Sequence, residues 1–506
     1  MNTIKRILWG LVIAIPICTL LPGCKKFLDR KPLTATFDDL NQGGVEGLIF
    51  GLYGGIRNPD IAGIGFGGIN WLGMHALRSD DQEIVADPGA GGWHTTYDLF
   101  QYVKDDWSTN EYWARHYTLI NLANTALHTI DSLGLTDQAT LINEAEAKWF
   151  RAYSYFEMVR TYGQVPLIDF PVLKASDANI AKSTEAQIYA LIDADLTFAA
   201  QHLPLNWIVA AGQPSKYPGR LTSGAARTLH AKALLYRQNW AGALGLLQTV
   251  IASGEYELTD EYWKIWKTAG ENNKESIFEI QAYQSAGAAD NYWSWWGTQQ
   301  GVRGAGEWNL GWGWNTPTQN LVDAYETGDI RKESTILFSG QADGAATGGY
   351  GRTLPAYPSI PAKFWNKKTY ADPAEQQVVG DPAGAAYINQ RVLRYSDVLL
   401  MAAEAANEIG GAANEILATN WVNEVRNRAK LPDVAFVSKA QMRAVIKQER
   451  RVEFGMEGER FFDLVRWGDA PAVLGALGYQ NRHRYYPLPS PAIAANPNLV
   501  QNPDYP

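Results

Sequence analysis

Between Asn291 and Asn315 stand Trp293, Trp295, Trp296, Trp308, Trp312 and Trp314, interleaved with Gly297, Gly301, Gly304, Gly306, Gly311 and Gly313. An indole face is broad, apolar and negative at its centre, which suits the C–H faces of a sugar ring. Asn291, Gln299, Arg303 and Asn309 add groups that hydrogen-bond hydroxyls. Glycine at this density favours tight turns over regular helix, so these indoles are not expected to enter one core together; some are expected to line a surface. A second aromatic loop holds Trp71, Trp93, His94 and Tyr97 around Asp87-Pro88-Gly89-Ala90-Gly91-Gly92. Taken singly, any of these tryptophans is equally well explained as a core cap or a filler between loops. Arg303 is the lone cation of 291–315, which favours a neutral ligand over a uronic-acid polymer.

Catalytic constellations are weaker. The chain has no G-x-S-x-G elbow, H-E-x-x-H pair or EF-hand loop. Its histidines, His75, His94, His116, His128, His202, His230 and His483, include no pair at ligand spacing, so no metal or other cofactor is expected. His128 and His230 fall within helical apolar patterns and read as core residues. Asp80, Asp81 and Glu83 form an acidic cluster near the second loop, but a glycoside hydrolase needs two carboxylates facing each other across a cleft. Ser79-Asp80-Asp81 reads instead as a cap, and no catalytic residue is assigned.

Cys24 carries different chemistry. Lys5 and Arg6 precede an uncharged apolar run from Ile7 to Leu21, and Leu21-Pro22-Gly23-Cys24 ends it. The run is shorter than the roughly 20 residues of a membrane span and reads as a secretory signal. Gly23 before the cysteine resembles a bacterial lipoprotein cleavage box, with residues 1–23 removed and Cys24 acylated. Cys18 leaves with the signal, so no thiol remains for a disulfide, a thiolate metal site or cysteine catalysis. Loss of Lys5 and Arg6 moves the formal charge from -9 to -11, which argues against nucleic acid or anionic lipid as partner.

The elements that must position these groups are helical. After a tether over 24–36, apolar residues recur at helical spacing along Asn110–Ile130 (Tyr112, Trp113, His116, Ile120, Leu122, Ala123, Leu127) and Asp137–Tyr162, joined by Ser132-Leu133-Gly134. Thr184–His202 and Ser223–Gln238 repeat the design around a Pro- and Gly-rich loop at 204–220. Ala231, Ala233, Leu234, Tyr236, Trp240, Ala243 and Leu244, with Tyr256, set small residues against large ones, the packing logic of the tetratricopeptide repeat. The pattern returns at Tyr395–Ile409 and Ala412–Arg428. The expected architecture is mainly α: tetratricopeptide-like helix pairs as a scaffold over about 105–256 and 386–468, with a loop-rich insertion at about 257–385 carrying the ligand site, all within one unit from 37 to 506.

Residues 449–468, ERRVEFGMEGERFFDLVRWG, resemble the signature of the SusD/RagB family, and Tyr485-Tyr486-Pro487-Leu488-Pro489, Asn496-Pro497-Asn498-Leu499 and Cys24-Lys25-Lys26-Phe27-Leu28-Asp29 agree with it. The resemblance implies a right-handed tetratricopeptide-like scaffold and an outer-membrane lipoprotein of Bacteroidetes, anchored through Cys24 and facing the cell surface. It also implies a binding protein rather than an enzyme, one that captures a glycan during polysaccharide utilisation and passes it to a SusC-like TonB-dependent transporter. A peptide-binding RagB-like protein and, less so, a surface glycoside hydrolase are the alternatives. The charges Glu449, Arg450, Arg451, Glu453, Glu457, Arg460, Asp463 and Arg466 alternate at helical spacing and are expected to form i,i+3 and i,i+4 ion pairs. The family's ligand contacts lie in variable loops, so none is carried over.

Overall fold

Aspartates and threonines at helix starts define the scaffold. Asp106 accepts from the Thr109 amide and opens α2 (Trp107–Leu133), after a first helix α1 (Gly44–Arg57); Asp137 accepts from the Ala139 and Thr140 amides and opens α3 (Gln138–Tyr162). Thr184 and Gln187 make a reciprocal capping box on α4 (Glu185–His202), Thr222 caps α5 (Ser223–Tyr236), and Asn239 caps α6 (Trp240–Ala252). Each such cap satisfies an otherwise unpaired helix-end amide and is worth about 1 kcal/mol. The C-terminal third supplies α7 (Tyr395–Ile409), α8 (Ala412–Arg428), α9 (Lys439–Glu453, capped by Ser438) and α10 (Arg460–Trp467).

These elements come from a computed structural model that describes residues 44–57, 68–85, 92–210, 212–284, 291–292, 294–379 and 386–505. Its contacts divide the chain into Met1–Gly47 and Leu48–Pro506. Of the first unit only the opening turn of α1 is described; the helical scaffold and both tryptophan loops belong to the second. The expected signal, the 24–36 tether and Cys24 lie outside the described residues. Among the described residues no helix is long and apolar enough to cross a membrane.

Each long helix packs on its neighbour in the chain, from α2 on α3 through α5 on α6, then α7 on α8 and α9. The buried stripe of α2 runs Tyr112, Trp113, His116, Leu119, Ile120, Ala123, Ala126 and Ile130. Leu122 and His128, expected in that stripe, are exposed: Leu122 lies at its margin beside Gly55 of α1, and His128 lies on the far side, 3.4 Å from the Ser132 hydroxyl one turn on. His230 is buried as expected and contacts Asp193 at 3.1 Å. Central α3 is buried on nearly all sides from Ala145 to Tyr162. Its charges are therefore paired, as buried charges must be: Glu146 accepts twice from Arg220, and Arg151 donates twice to Asp195, all at 2.8 Å. Small-against-large packing holds at α5, where the Tyr256 ring lies on Gly224 and leaves no room for a side chain.

The scaffold is continuous across the long break after α6, because α7 packs on α6. The chain leaves along β2 (Ser276–Ile280) and returns along β4 (Gln390–Arg394), its antiparallel partner, with Ile280 opposite Gln390. Mainly helical architecture with an irregular excursion is thus what the structure has.

Helix α9 runs between scaffold and excursion, α10 packs on the turn at 72–76, and the signature charges reach outward rather than along their own helix. Glu449 and Glu453 accept from Arg331 at 2.9 and 3.2 Å; Glu453 also accepts from Arg394 at 2.8 Å and from Arg428. Arg450 donates to Asp397 and Asp463 at 2.7 and 2.9 Å. Arg466 with Asp463 is the i,i+3 pair of the set. The expected local ladder gives way to long-range pairs because both faces of this segment are covered, and each charge there needs a partner on a different element.

Candidate functional site

A short ladder brings the two tryptophan loops together. Strand β1 (Gln82–Glu83) pairs antiparallel with β3 (Thr316–Pro317), Glu83 opposite Thr316. Beneath it lies a buried amide chain: Gln82 donates to Asn315 at 3.1 Å, Asn315 to Gln300 at 2.6 Å, and Asn366 to the same Gln300 oxygen at 2.8 Å. Sequence reasoning missed this chain, since nothing local to these four residues marks them as partners. Asp80 and Asp81, expected to cap a turn, are instead held by signature arginines: Arg451 donates to Asp81 at 3.0 Å and to Asp80 at 3.1 Å, and Arg460 to Asp80 at 2.9 Å. These carboxylates serve the core under the loops.

Within 291–315 the glycines do not abolish helix altogether. Trp295–Gln300 forms one short helix, Ser294 accepting from the Trp296 amide, with Gly297 inside it. A returning segment runs beside it, its Trp312 amide donating to Thr298 at 2.9 Å and its Trp314 amide to Gln299 at 2.8 Å. The close pass needs glycine on both sides, since a Cβ on Gly311 would sit 2.6 Å from the Gly301 Cα.

The result is a row of indoles. Trp295 and Trp312 have centroids 5.5 Å apart, Trp312 and Trp314 4.8 Å, and Trp314 and Trp93 5.7 Å, with successive planes tilted by 40°, 58° and 62°. Tyr97 continues it from Trp93 at 5.8 Å. All four tryptophans are half-buried. Trp93 and Trp314 pack on two core clusters at once, whereas Trp295 and Trp312 join none.

The remaining candidates are dispersed. Trp71, Trp296 and Trp308 are 5%, 1% and 6% exposed and belong to cores, so as ligand contacts they are corrected: no indole face is open. Trp71 meets Trp296 edge to face, and Trp308 stacks on Tyr370. Arg303 donates to the Trp312 carbonyl at 3.3 Å, and its backbone bridges to exposed Asn309. His94 is half-buried at the N-terminal turn of Thr95–Asp98. Asn291 pairs through its backbone with Gln284; its side chain, like Trp293 and 87–91, lies outside what is described.

Asp98 was not singled out by sequence. It follows Tyr97 at the end of the row, and burial, then the nearby Glu83 charge, raise its carboxyl to about 8. Glu83 is itself raised by burial. A carboxyl raised on folding ionises first in the unfolded chain. Its contribution is therefore full below about pH 4 and is lost as pH climbs toward 8. Asp98→Asn removes that loss, so in urea denaturation at pH 5 to 8 the variant should gain on wild type by up to about 1.4 kcal/mol per pH unit. Parallel pH profiles would show Asp98 to be ordinary.

Family models match in two spans: the SusD family over residues 274–484, and "Starch-binding associating with outer membrane" over residues 82–237. SusD-like protein P2 of Formosa agariphila is 27% identical over 469 residues, covering 85% of this chain and 87% of that one. A solved laminarin binding SusD-like protein superposes with TM-score 0.73 at 27% identity, covering 91% of this chain and 99% of its own. Surface glycan-binding protein A from Bacteroides thetaiotaomicron, in complex with laminarihexaose, shares the fold with TM-score 0.74 at 24% identity, covering 90% and 98%. Signature network, helix-pair scaffold and these matches agree, and the chain belongs to the SusD/RagB family.

Proposed function

We propose that this protein binds a neutral glycan at the outer membrane and delivers it to a SusC-like TonB-dependent transporter, without cleaving it. The observation that carries the reading is the indole row Trp295, Trp312, Trp314 and Trp93. Ring-sized steps of 4.8–5.7 Å suit consecutive sugar units, and plane tilts of 40–62° make a curved wall. Such a wall fits a bent or helical chain better than a flat ribbon. Relatives that bind laminarin and laminarihexaose support the ligand class. In this reading residues 37–506 work as one unit, with the loop-rich part at about 257–385 presenting the ligand face. The test is calorimetry of the soluble form, starting after Lys26, against laminarin, polygalacturonate and a casein digest. Binding to laminarin alone is expected. Heat from the peptide digest alone would turn the assignment to a peptide binder, and reducing ends released in proportion to protein would make it a hydrolase.

Anchoring is part of the same proposal. Cys24 bears the lipid, and since stable attachment takes two or more acyl chains, losing the acceptor loses the membrane. Cys24→Ala should take up no labelled fatty acid and leave the membrane fraction. Label retained by the variant would defeat the lipoprotein reading.

A further inference from the structure

A second cleft, of about 420 Å³, lies between the loop 205–222 and the segment 271–279, within the 300–1,000 Å³ typical of small-ligand pockets. None of the residues lining it belongs to the indole row. One wall is aromatic: Trp207 and Tyr217 meet edge to face at 5.4 Å and 84°. The Trp207 indole is fixed in place, its Nε1 donating to the Leu221 carbonyl at 2.9 Å, while its own carbonyl accepts from the Lys216 amide at 2.9 Å. Behind it the Arg220 guanidinium sits 4.4 Å from the Trp207 ring centre and 5.1 Å from that of Tyr217. Glu146 accepts two 2.8 Å bonds from that guanidinium, so its charge is already answered by a carboxylate.

The facing wall is polar. Asn272 exchanges side-chain hydrogen bonds with Gln281 at 2.8 and 3.0 Å, which orients its amide. Asn206 donates to one Glu255 oxygen at 2.9 Å, and among the described residues that carboxylate has no other side-chain partner. Glu271 and Glu279 also line the space, whereas Lys274 is drawn off to Glu257 at 3.3 Å. A rigid aromatic face opposed by amides and carboxylates, with Arg220 and Lys274 each already paired to a carboxylate, rejects anions and suits a hydroxyl-rich neutral ring.

We propose that this cleft is a second binding site, separate from the indole row, for a single unit or disaccharide end of a neutral sugar. The proposal rests on the glycan reading above only for its choice of probes. The experiment is NMR of the soluble form with ¹⁵N-labelled indoles, titrated with D-glucose, D-galactose and D-mannose. Trp207→Phe assigns the Trp207 resonance. At least one sugar should move that resonance saturably, both in wild type and in Trp312→Ala, and Glu255→Gln should weaken the response about tenfold without changing the thermal midpoint. Movement of Trp207 with silent row indoles would support the cleft and count against the row. Row indoles moving while Trp207 stays fixed would overturn the cleft alone, and a Trp207 resonance silent toward all three sugars overturns it in every case.

Discussion

Glu453→Ala should cost the protein about 3–5 kcal/mol of folding stability, the range for removing one partner of a buried ion pair. Glu453 is fully buried and answers three guanidinium groups, Arg331, Arg394 and Arg428. Its backbone carbonyl also accepts from Tyr262 at 2.6 Å and from Lys368 at 3.1 Å. Alanine leaves an excess of buried positive charge where helices α8 and α9 meet the excursion. Against a typical total of about 5–15 kcal/mol, that loss is large. Urea denaturation measures it, and a loss below about 1 kcal/mol would mean that water enters and the network is not buried in solution. Burial pushes the Glu453 carboxyl up, but Arg428, Arg394 and Arg331 outweigh it and hold the group well below the ordinary glutamate range. A depressed carboxyl contributes fully above its unfolded value, about 4.3, and loses that contribution as pH falls toward the folded value. The gap between wild type and Glu453→Gln should therefore narrow in acid.

Trp312→Ala should weaken laminarihexaose binding about 30-fold, as truncation of a desolvated aromatic anchor costs about 2 kcal/mol or more. Trp295→Ala should behave alike, and neither should shift the thermal midpoint, since neither indole joins a core cluster. Trp296→Ala is the counter-case, expected to lose about 3–5 kcal/mol of stability because its side chain is buried against Trp71 in a core cluster that also holds Tyr262, Trp266 and Tyr387. Equal destabilisation by all three substitutions with unchanged affinity would remove the row from the binding site.

What the sequence made legible depends on how local the signal was. Tyr395–Ile409 and Ala412–Arg428 are found with the boundaries their periodicity predicts, and Asp137 caps the helix it was expected to start. Caps and stripes act over one or two turns. The fates of Trp295 and Trp296 were not legible. Adjacent in sequence, they diverge because a single helical turn aims one inward and leaves the other half-open. Composition counts both alike. The same limit hid the partners of the signature charges: Asp80 and Arg451 pair across 371 positions, while their sign pattern invited neighbours three or four residues away. Asp98 gave no cue at all, because its unusual acidity comes from burial and from Glu83, which the fold alone brings near.

The antiparallel pairing of Ser276–Ile280 with Gln390–Arg394 means that the long excursion begins and ends at hydrogen-bonded neighbours. A segment whose two ends already touch can be replaced by one of another length with little penalty, since closure entropy grows only slowly with length. The helical stack then behaves as a chassis and 281–389 as a cassette. Its fasteners must travel with it: Arg331 for Glu449 and Glu453, Lys368 for Glu457, Glu326 for Arg426, Asn315 for Gln82 and Trp296 for Trp71. A chimaera that keeps these and exchanges the rest with a relative should fold on this chassis, and with Trp295, Trp312 and Trp314 exchanged its ligand preference should shift toward the donor's.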